Sequence, residues 1–375
     1  MLRSRLILLA GFVSAASALV ACGGGSSSSS SNGGGGSGGS TSTGGATVDL
    51  NHPPDPDENA VAGDGTGTVL AIHKLYLGDT DRSGKASSTA WKSFGYDLDG
   101  KVSTKESTDL CKPAAGAKPS AVYEDGELGT DNSFGKNILP IITSLASDAS
   151  TQVNDSINKG SFTILLRIDG IGAKDSYKDL NTKLYAGSKL VDDMGTQIAP
   201  MWDGTDAWPV VPELLNNGDI ENPKVQFASS YVVKDPKSGA RTWVSGSKGD
   251  IVLNLSVGEF TLSLTVASAL ISTQVSADNK KGSMGTIAGI LNTEQLIAEL
   301  AKVAGSFDPT LCPPSSTFES IAQQIRQASD IMSDGTQDPS KTCDGISIGL
   351  GFDMDAVQLR KVADPSMGSG DPCAM

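Results

Sequence analysis

The chain has two histidines in 375 residues, His52 and His73. A hydrolase built on a serine or cysteine nucleophile needs an imidazole base, and that role would fall to His73. Val69 to Leu77 alternates like a strand and puts His73 on the side of Ala71 and Leu75. That position suits a satisfied core or edge histidine better than a catalyst. There is no G-x-S-x-G, no H-E-x-x-H and no phosphate-binding glycine loop. Cysteine spacings match no zinc site. Lysine and arginine never cluster and the net charge is -14, which argues against nucleic acid or anionic lipid as a partner. Aromatic residues make up only 5% of the chain. One enzyme class escapes these absences: a glycosidase needs only two carboxylates, which leave no sequence pattern.

What is present starts at the N-terminus. Arg3 and Arg5 precede an apolar run from Leu6 to Val20, too short to span a bilayer and laid out as a secretory signal. Leu19-Val20-Ala21-Cys22 then resembles the lipobox of bacterial lipoproteins. The resemblance implies cleavage after residue 21 and diacylation of Cys22, and two acyl chains suffice for stable anchoring. Gly23 after the Cys, rather than Asp, implies the outer membrane over the inner, with the domain in the periplasm or at the cell surface. Loss of Arg3 and Arg5 takes the charge from -14 to -16. Gly23 to Gly45 is almost purely Gly and Ser, a flexible coil. The Pro- and Asp-rich stretch from Asp49 to Thr66 reads as its continuation. The expected organisation is therefore a signal over 1–21, a lipidated tether over 22–66 and one globular domain over 67–375.

Four further cysteines, Cys111, Cys312, Cys343 and Cys373, read as two disulfides in an exported chain. Three pairings are open. Cys312–Cys343 is favoured because a helix leaves the first and a loop returns to the second, which leaves Cys111–Cys373.

The periodicity predicts a mainly β fold with a few helices, an antiparallel β-sandwich or jelly-roll-like core. From Asp250 to Ala267 two alternating runs flank Gly258-Glu259, and a two-residue turn there sets Val257 against Phe260, Leu255 against Leu262, Leu253 against Leu264 and Ile251 against Val266. Further alternation occurs at Phe162–Ile168, at Val225–Val233 and at Ile346–Phe352, where Gly349 and Gly351 take the opposite face. Helices are expected from Pro140 through Val153, from Thr293 to Gly305, and from a Ser316-x-x-Glu319 capping box onward to Gly335.

Two regions carry candidate chemistry. Asp79-Thr-Asp81-Arg-Ser83-Gly resembles the front of an EF-hand calcium loop, but Ala90 stands where the bidentate Glu belongs. Gly95 to Glu106 places Asp97 and Asp99 at loop positions three and five and Glu106 at twelve, with Gly95 lacking a first ligand. Asp125 and Asp131 lie in a third oxygen-rich stretch. These loops offer oxygens for calcium, though Asp, Asn, Gly and Ser also make ordinary turns. The second region is Met201 to Pro209, where Trp202 and Trp208 could stack on a sugar while Asp203 and Asp206 bond its hydroxyls.

Trp91 to Gly100, Cys111, and Gly129-Thr-Asp131-Asn-Ser-Phe-Gly135 are similar to stretches in uncharacterised lipoproteins of myxobacteria and their relatives. The resemblance implies a surface location and assigns no residue roles. The leading expectation is a surface-anchored lipoprotein with a non-catalytic binding or structural domain, calcium-stabilised, with a glycan or another surface partner. The alternative is a secreted glycan-active hydrolase with a carboxylate pair.

Overall fold

Alternating apolar residues become strands wherever the sequence carries them. The structure is a computed structural model and describes residues 51–257, 260–365 and 372–373. Its strands are β1 (Thr68–Tyr76), β2 (Thr163–Ile168), β3 (Tyr177–Gly187), β4 (Ala207–Val210), β5 (Leu215–Asn216), β6 (Asp219–Pro223), β7 (Val225–Lys234), β8 (Arg241–Val244), β9 (Gly249–Val257), β10 (Phe260–Val275), β11 (Lys281–Asn292), β12 (Gly345–Ala356) and β13 (Gln358–Val362). Its helices are α1 (Pro119–Val122), α2 (Leu139–Leu145), α3 (Ala149–Asn158), α4 (Thr293–Phe307) and α5 (Ser316–Arg326). No helix among the described residues is long and apolar enough to cross a membrane.

The core is β-sandwich-like and antiparallel. Strands pair in the order β3-β2-β1-β12-β11-β10-β8-β7, and β7 pairs back onto β3, so the hydrogen bonding runs continuously round. Ile72, Leu166, Phe227, Trp243, Ile251, Leu253, Ile346, Ile348 and Leu350 are fully buried in one cluster. Each aliphatic side chain so buried stabilises the fold by about 1.5–3 kcal/mol. β4 and β13 add a parallel pair outside, and Trp208 and Val210 pack there on Ala71, Leu165 and Tyr185.

The β9–β10 hairpin has the expected register at all four pairs. Its turn, Gly258-Glu259, lies outside the described residues, as do the signal and the Gly/Ser segment. β7 departs from simple alternation. Phe227 is buried, but farther along the strand it is Ser230 and Val232 that point inward. An irregularity in the β3 pairing between Leu180 and Thr182 accounts for the change of phase.

The helices differ from expectation in detail. Pro140 to Val153 is two helices, broken at Ala146, which leaves the helical region (φ -136°, ψ 89°). Leu145 is 42% exposed whereas Ala149 and Val153 are buried, so one apolar stripe does not run through. Asn154 docks α3 on β1 by accepting from Leu75 N (2.9 Å) and donating to Leu75 O (2.9 Å). α5 is capped by Ser315, one residue before the expected cap, and stops at Arg326 rather than Gly335. Gly305 does not end α4: a Cβ there would sit 2.6 Å from Cys312 Sγ and 2.7 Å from Cys373 Sγ, so its job is to admit a disulfide.

That disulfide corrects the expected pairing. The bridges are Cys111–Cys343 and Cys312–Cys373, with Cα separations of 5.1 and 5.4 Å. Lys112 runs beside Thr342 in a parallel bridge, which brings Cys111 to the loop after α5. Residues 51–66 also differ from expectation, because they lie against the domain. Val61 pairs with Tyr177, Gly65 N donates to Gly170 O (2.9 Å), Asn51 N donates to Leu128 O (2.9 Å), Asp97 N donates to Asn51 O (2.8 Å), and Asn51 Nδ2 donates to Gly95 O (3.0 Å) and Thr130 Oγ1 (2.8 Å). Tertiary partners supply the order that the local sequence does not.

Candidate metal centre

The outer face of β12 builds the floor of the site. Gly349 and Gly351 leave that face without side chains. Phe94 lies across it so closely that a Cβ on Gly351 would sit 2.2 Å from its ring, and one on Gly349 2.2 Å from its carbonyl oxygen. Asn132 ties this contact, donating to Phe94 O (3.0 Å) and Gly349 O (2.9 Å) while accepting from Gly349 N (3.0 Å). Tyr96 and Leu98 then pack on Ala288, Ile290 and Ile331. The strand-like spacing that buries Tyr96 and Leu98 turns Asp97 and Asp99 the other way.

There they meet Asp131. One oxygen from each of Asp97, Asp99 and Asp131 lies within 4.8 Å of the others. Asp97 Oδ1 accepts from Gly100 N (2.7 Å) and Lys101 N (3.2 Å), but its Oδ2 is buried with no partner. Asp99 accepts from Lys101 N (2.9 Å) and from Gln337 Nε2 (2.8 Å). Asp131, 5% exposed, accepts from Leu98 N at Oδ2 (2.7 Å). Gly129 closes the group: a Cβ there would stand 2.8 Å from Lys101 O and 3.5 Å from Asp97 Oδ2. Lys101 O thus joins the same small space, at the loop position where an EF-hand uses a main-chain carbonyl.

Two more carboxylates stand behind. Asp125 accepts from Ser103 N, and Asp330 accepts from Ser347 N (2.9 Å) and Ser347 Oγ (2.5 Å). Among the described residues none of the five is in an ion pair; Lys101 Nζ turns outward to Asp109. Burial and mutual repulsion therefore disfavour their ionised forms. Burial first, then Asp99, Asp125 and Asp330, push Asp131 well above the usual carboxylate range. Burial and the neighbouring carboxylates push Asp125 up to about 8, and burial pushes Asp330 up to about 7. Asp97 and Asp99 also rise, chiefly through burial. Such a set of oxygens suits a hard divalent cation, which would replace protons as the compensating charge.

The other candidate residues go elsewhere. Glu106 is 81% exposed beside Lys105, so Asp131, from a separate loop, stands where a twelfth-position carboxylate was expected. Asp79, Asp81 and Ser83 stay out of the cluster. Asp81 Oδ1 accepts from Ser83 N (2.9 Å), Ser83 Oγ (2.6 Å) and Lys85 N (3.0 Å), an ordinary closed turn whose bonds hold the exposed carboxyl low. Asp330 and Gln337, some 200 residues farther along the chain, were not foreseen; no local pattern marks them.

The tryptophan loop is mostly internal. Trp208 is fully buried, and both oxygens of Asp206 are taken by Met201 N and Trp202 N at 2.7–3.1 Å. Those bonds hold Trp202 at φ +57°, a conformation rare for so bulky a residue. Asp203 Oδ1 accepts from Thr205 N (2.9 Å) and Thr205 Oγ1 (2.6 Å), closing its own turn. Trp202 keeps a partly open ring, stacked 6.1 Å from Trp208 and tilted at 54° to the His73 ring 5.8 Å away. His73 sits at an irregularity in β1, half-buried, with Nδ1 3.0 Å from Asp355 Oδ2. Desolvation lowers its pKa, and Asp355 and Asp353 oppose that shift.

No protein-family model, curated protein or solved structure matches the chain.

Proposed function

We propose that the chain is a lipid-anchored surface protein whose domain is a non-catalytic binding or structural module stabilised by calcium at Asp97, Asp99 and Asp131. The observation that carries the calcium reading is the convergence of three carboxylates around a buried, unpartnered Asp97 Oδ2. Lys101 O lies near Asp97 Oδ2 across Gly129 and could serve as a further ligand, and Asp125 and Asp330 place two more carboxyl groups behind. Calcium accepts six to eight oxygens in irregular geometry, whereas magnesium demands a regular octahedron, so calcium is the better match to a site assembled from separate loops. The anchor rests on the lipobox-like Leu19-Val20-Ala21-Cys22 and the Gly/Ser segment after it.

Thermal unfolding of the full chain in detergent, with 1 mM calcium and then with chelator, tests the ion. Calcium at about 100 times Kd would stabilise by about 2.7 kcal/mol. The gain should vanish in Asp97→Asn/Asp99→Asn. An unchanged midpoint in wild type would remove the calcium reading. Labelling of expressing bacteria with palmitate tests the anchor separately, with Cys22→Ala expected to abolish incorporation.

A further inference from the structure

The sheet closes on itself through one short strand. β8 pairs with β7 from Arg241 to Val244, against Tyr231 to Lys234, and no farther. β7 still touches the start of β9, where a Cβ on Gly249 would sit 3.7 Å from the Phe227 ring. From Ile251 to Val257, β9 pairs with β10 on one side and, among the described residues, with no strand on the other. Antiparallel pairing turns the N–H and C=O of successive residues to opposite edges of a strand. Val257 and Phe260 flank a two-residue connection, which makes them a hydrogen-bonded pair, so Val252, Asn254 and Ser256 turn their peptide groups away from β10. That free edge borders a cleft of about 220 Å³, lined by Val252 and Asn254 of β9 and by Phe162, Ile164, Leu184 and Val225. Free edges are ordinarily blunted by charge, proline or a bulge. β13, at one end of the sheet, follows that rule with Arg360 and Lys361. Ile251 to Val257 carries no charge and no proline, and its register is unbroken.

We propose that the free edge of β9 docks an extended peptide of a partner protein, which adds to the sheet as a strand and places an apolar side chain in the cleft. The chemistry of the edge selects this occupant. A row of main-chain donors and acceptors at strand spacing is matched by another extended backbone, whereas an acyl chain would leave every one of them unpaired. Phe162, Ile164, Leu184 and Val225 beside the row call for an apolar side chain. Side chains of a strand alternate between faces, so the recognised segment alternates apolar and polar residues. The proposal rests on the reading of the domain as a binding module and owes nothing to calcium, since no residue of the cleft belongs to the acidic loops.

Octapeptides displayed on phage and selected on the full chain in detergent are the probe. Selection should enrich sequences that alternate apolar and polar residues. The winning peptide, synthesised and followed by fluorescence anisotropy, should lose about tenfold or more in affinity when one alternate set of its main-chain nitrogens is methylated, and little when the other set is. Asn254→Pro removes one outward N–H and leaves the main-chain bonds to β10 in place, a change that edge strands tolerate. It should weaken binding about tenfold as well. If that variant misfolds, Val252→Lys, which puts a charge on the edge, should weaken binding in the same direction. No enrichment, enrichment without alternation, methylated peptides that all bind like the parent, or variants that bind like wild type would overturn the proposal. So would sedimentation showing a dimer of the chain that Asn254→Pro dissolves, because the edge would then belong to a second copy. Each of these outcomes leaves the calcium and anchor readings to their own tests.

Discussion

Asp330 gives the sharpest quantitative expectation. Burial raises its pKa to about 7 from the ordinary 3.8. The sign follows from proton uptake: between those two values the folded chain binds a proton that the unfolded chain has lost, so raising the pH favours unfolding. At about 1.36 kcal/mol per pKa unit the cost approaches about 4 kcal/mol by pH 8. Asp125 carries the loss on towards pH 8, but shares the same repulsion and is not added separately. For a domain of about 300 residues, 4 kcal/mol is about 6 °C in Tm. Calorimetry from pH 4.5 to 8.5 in EGTA should therefore show Tm falling by that order, with most of the fall complete by pH 7.5. Asp330→Asn keeps the shape and the contact with Ser347 but cannot titrate, so its Tm should be flatter across the same range. In calcium the wild-type fall should shrink, since the cation supplies the charge that protons supply in EGTA. A Tm that rises with pH in EGTA, or an Asp330→Asn curve parallel to wild type, would refute the reasoning.

Other expectations concern single positions. Gly129→Ala should destabilise the domain by about 1–3 kcal/mol and weaken calcium binding, because φ is +83° and the new Cβ would crowd Lys101 O at 2.8 Å; urea unfolding and calcium titration check both. Non-reducing peptide mapping should recover Cys111 joined to Cys343 and Cys312 joined to Cys373. Removing the first bridge, which spans 232 residues, should cost up to about 5 kcal/mol by the chain-entropy estimate. Trp208→Ala should cost about 3–5 kcal/mol as a core truncation, and Trp202→Ala markedly less, as chemical denaturation would show. Neither should act through a lost sugar contact, and a glycan that protects Trp202 fluorescence from quenching would reverse that view.

Strands were legible because their cause is local. In β9 and β10 the alternation and the shared turn leave one register that puts Ile251, Leu253, Leu264 and Val266 on one face, and that register is observed. Asp97 and Asp99 were legible as a pair for a similar reason, since their spacing and Gly100 make a turn that collects oxygens on one side. The reading failed where a residue's role depended on something distant. Gly305 looked like a helix stop, yet its bare Cα makes room for Cys312 and Cys373. Trp208 was open to two readings, a ligand platform or a plug in the core, and its burial where β4 lies on β3 with β13 beside it decides for the plug.

The sequence by itself determined the elements: which runs are strands, which loops are acidic, how little histidine chemistry is available, and what the N-terminus resembles. Tertiary structure alone decided which of three disulfide pairings forms and which acids become neighbours. Asp131 reaches Asp97 because Phe94 and Asn132 seat both loops on the glycines of β12, and Gln337 reaches Asp99 from a loop that Cys343 ties to Cys111. Local periodicity records which face of an element is apolar; it holds no record of which distant loop the closed sheet will bring against that face.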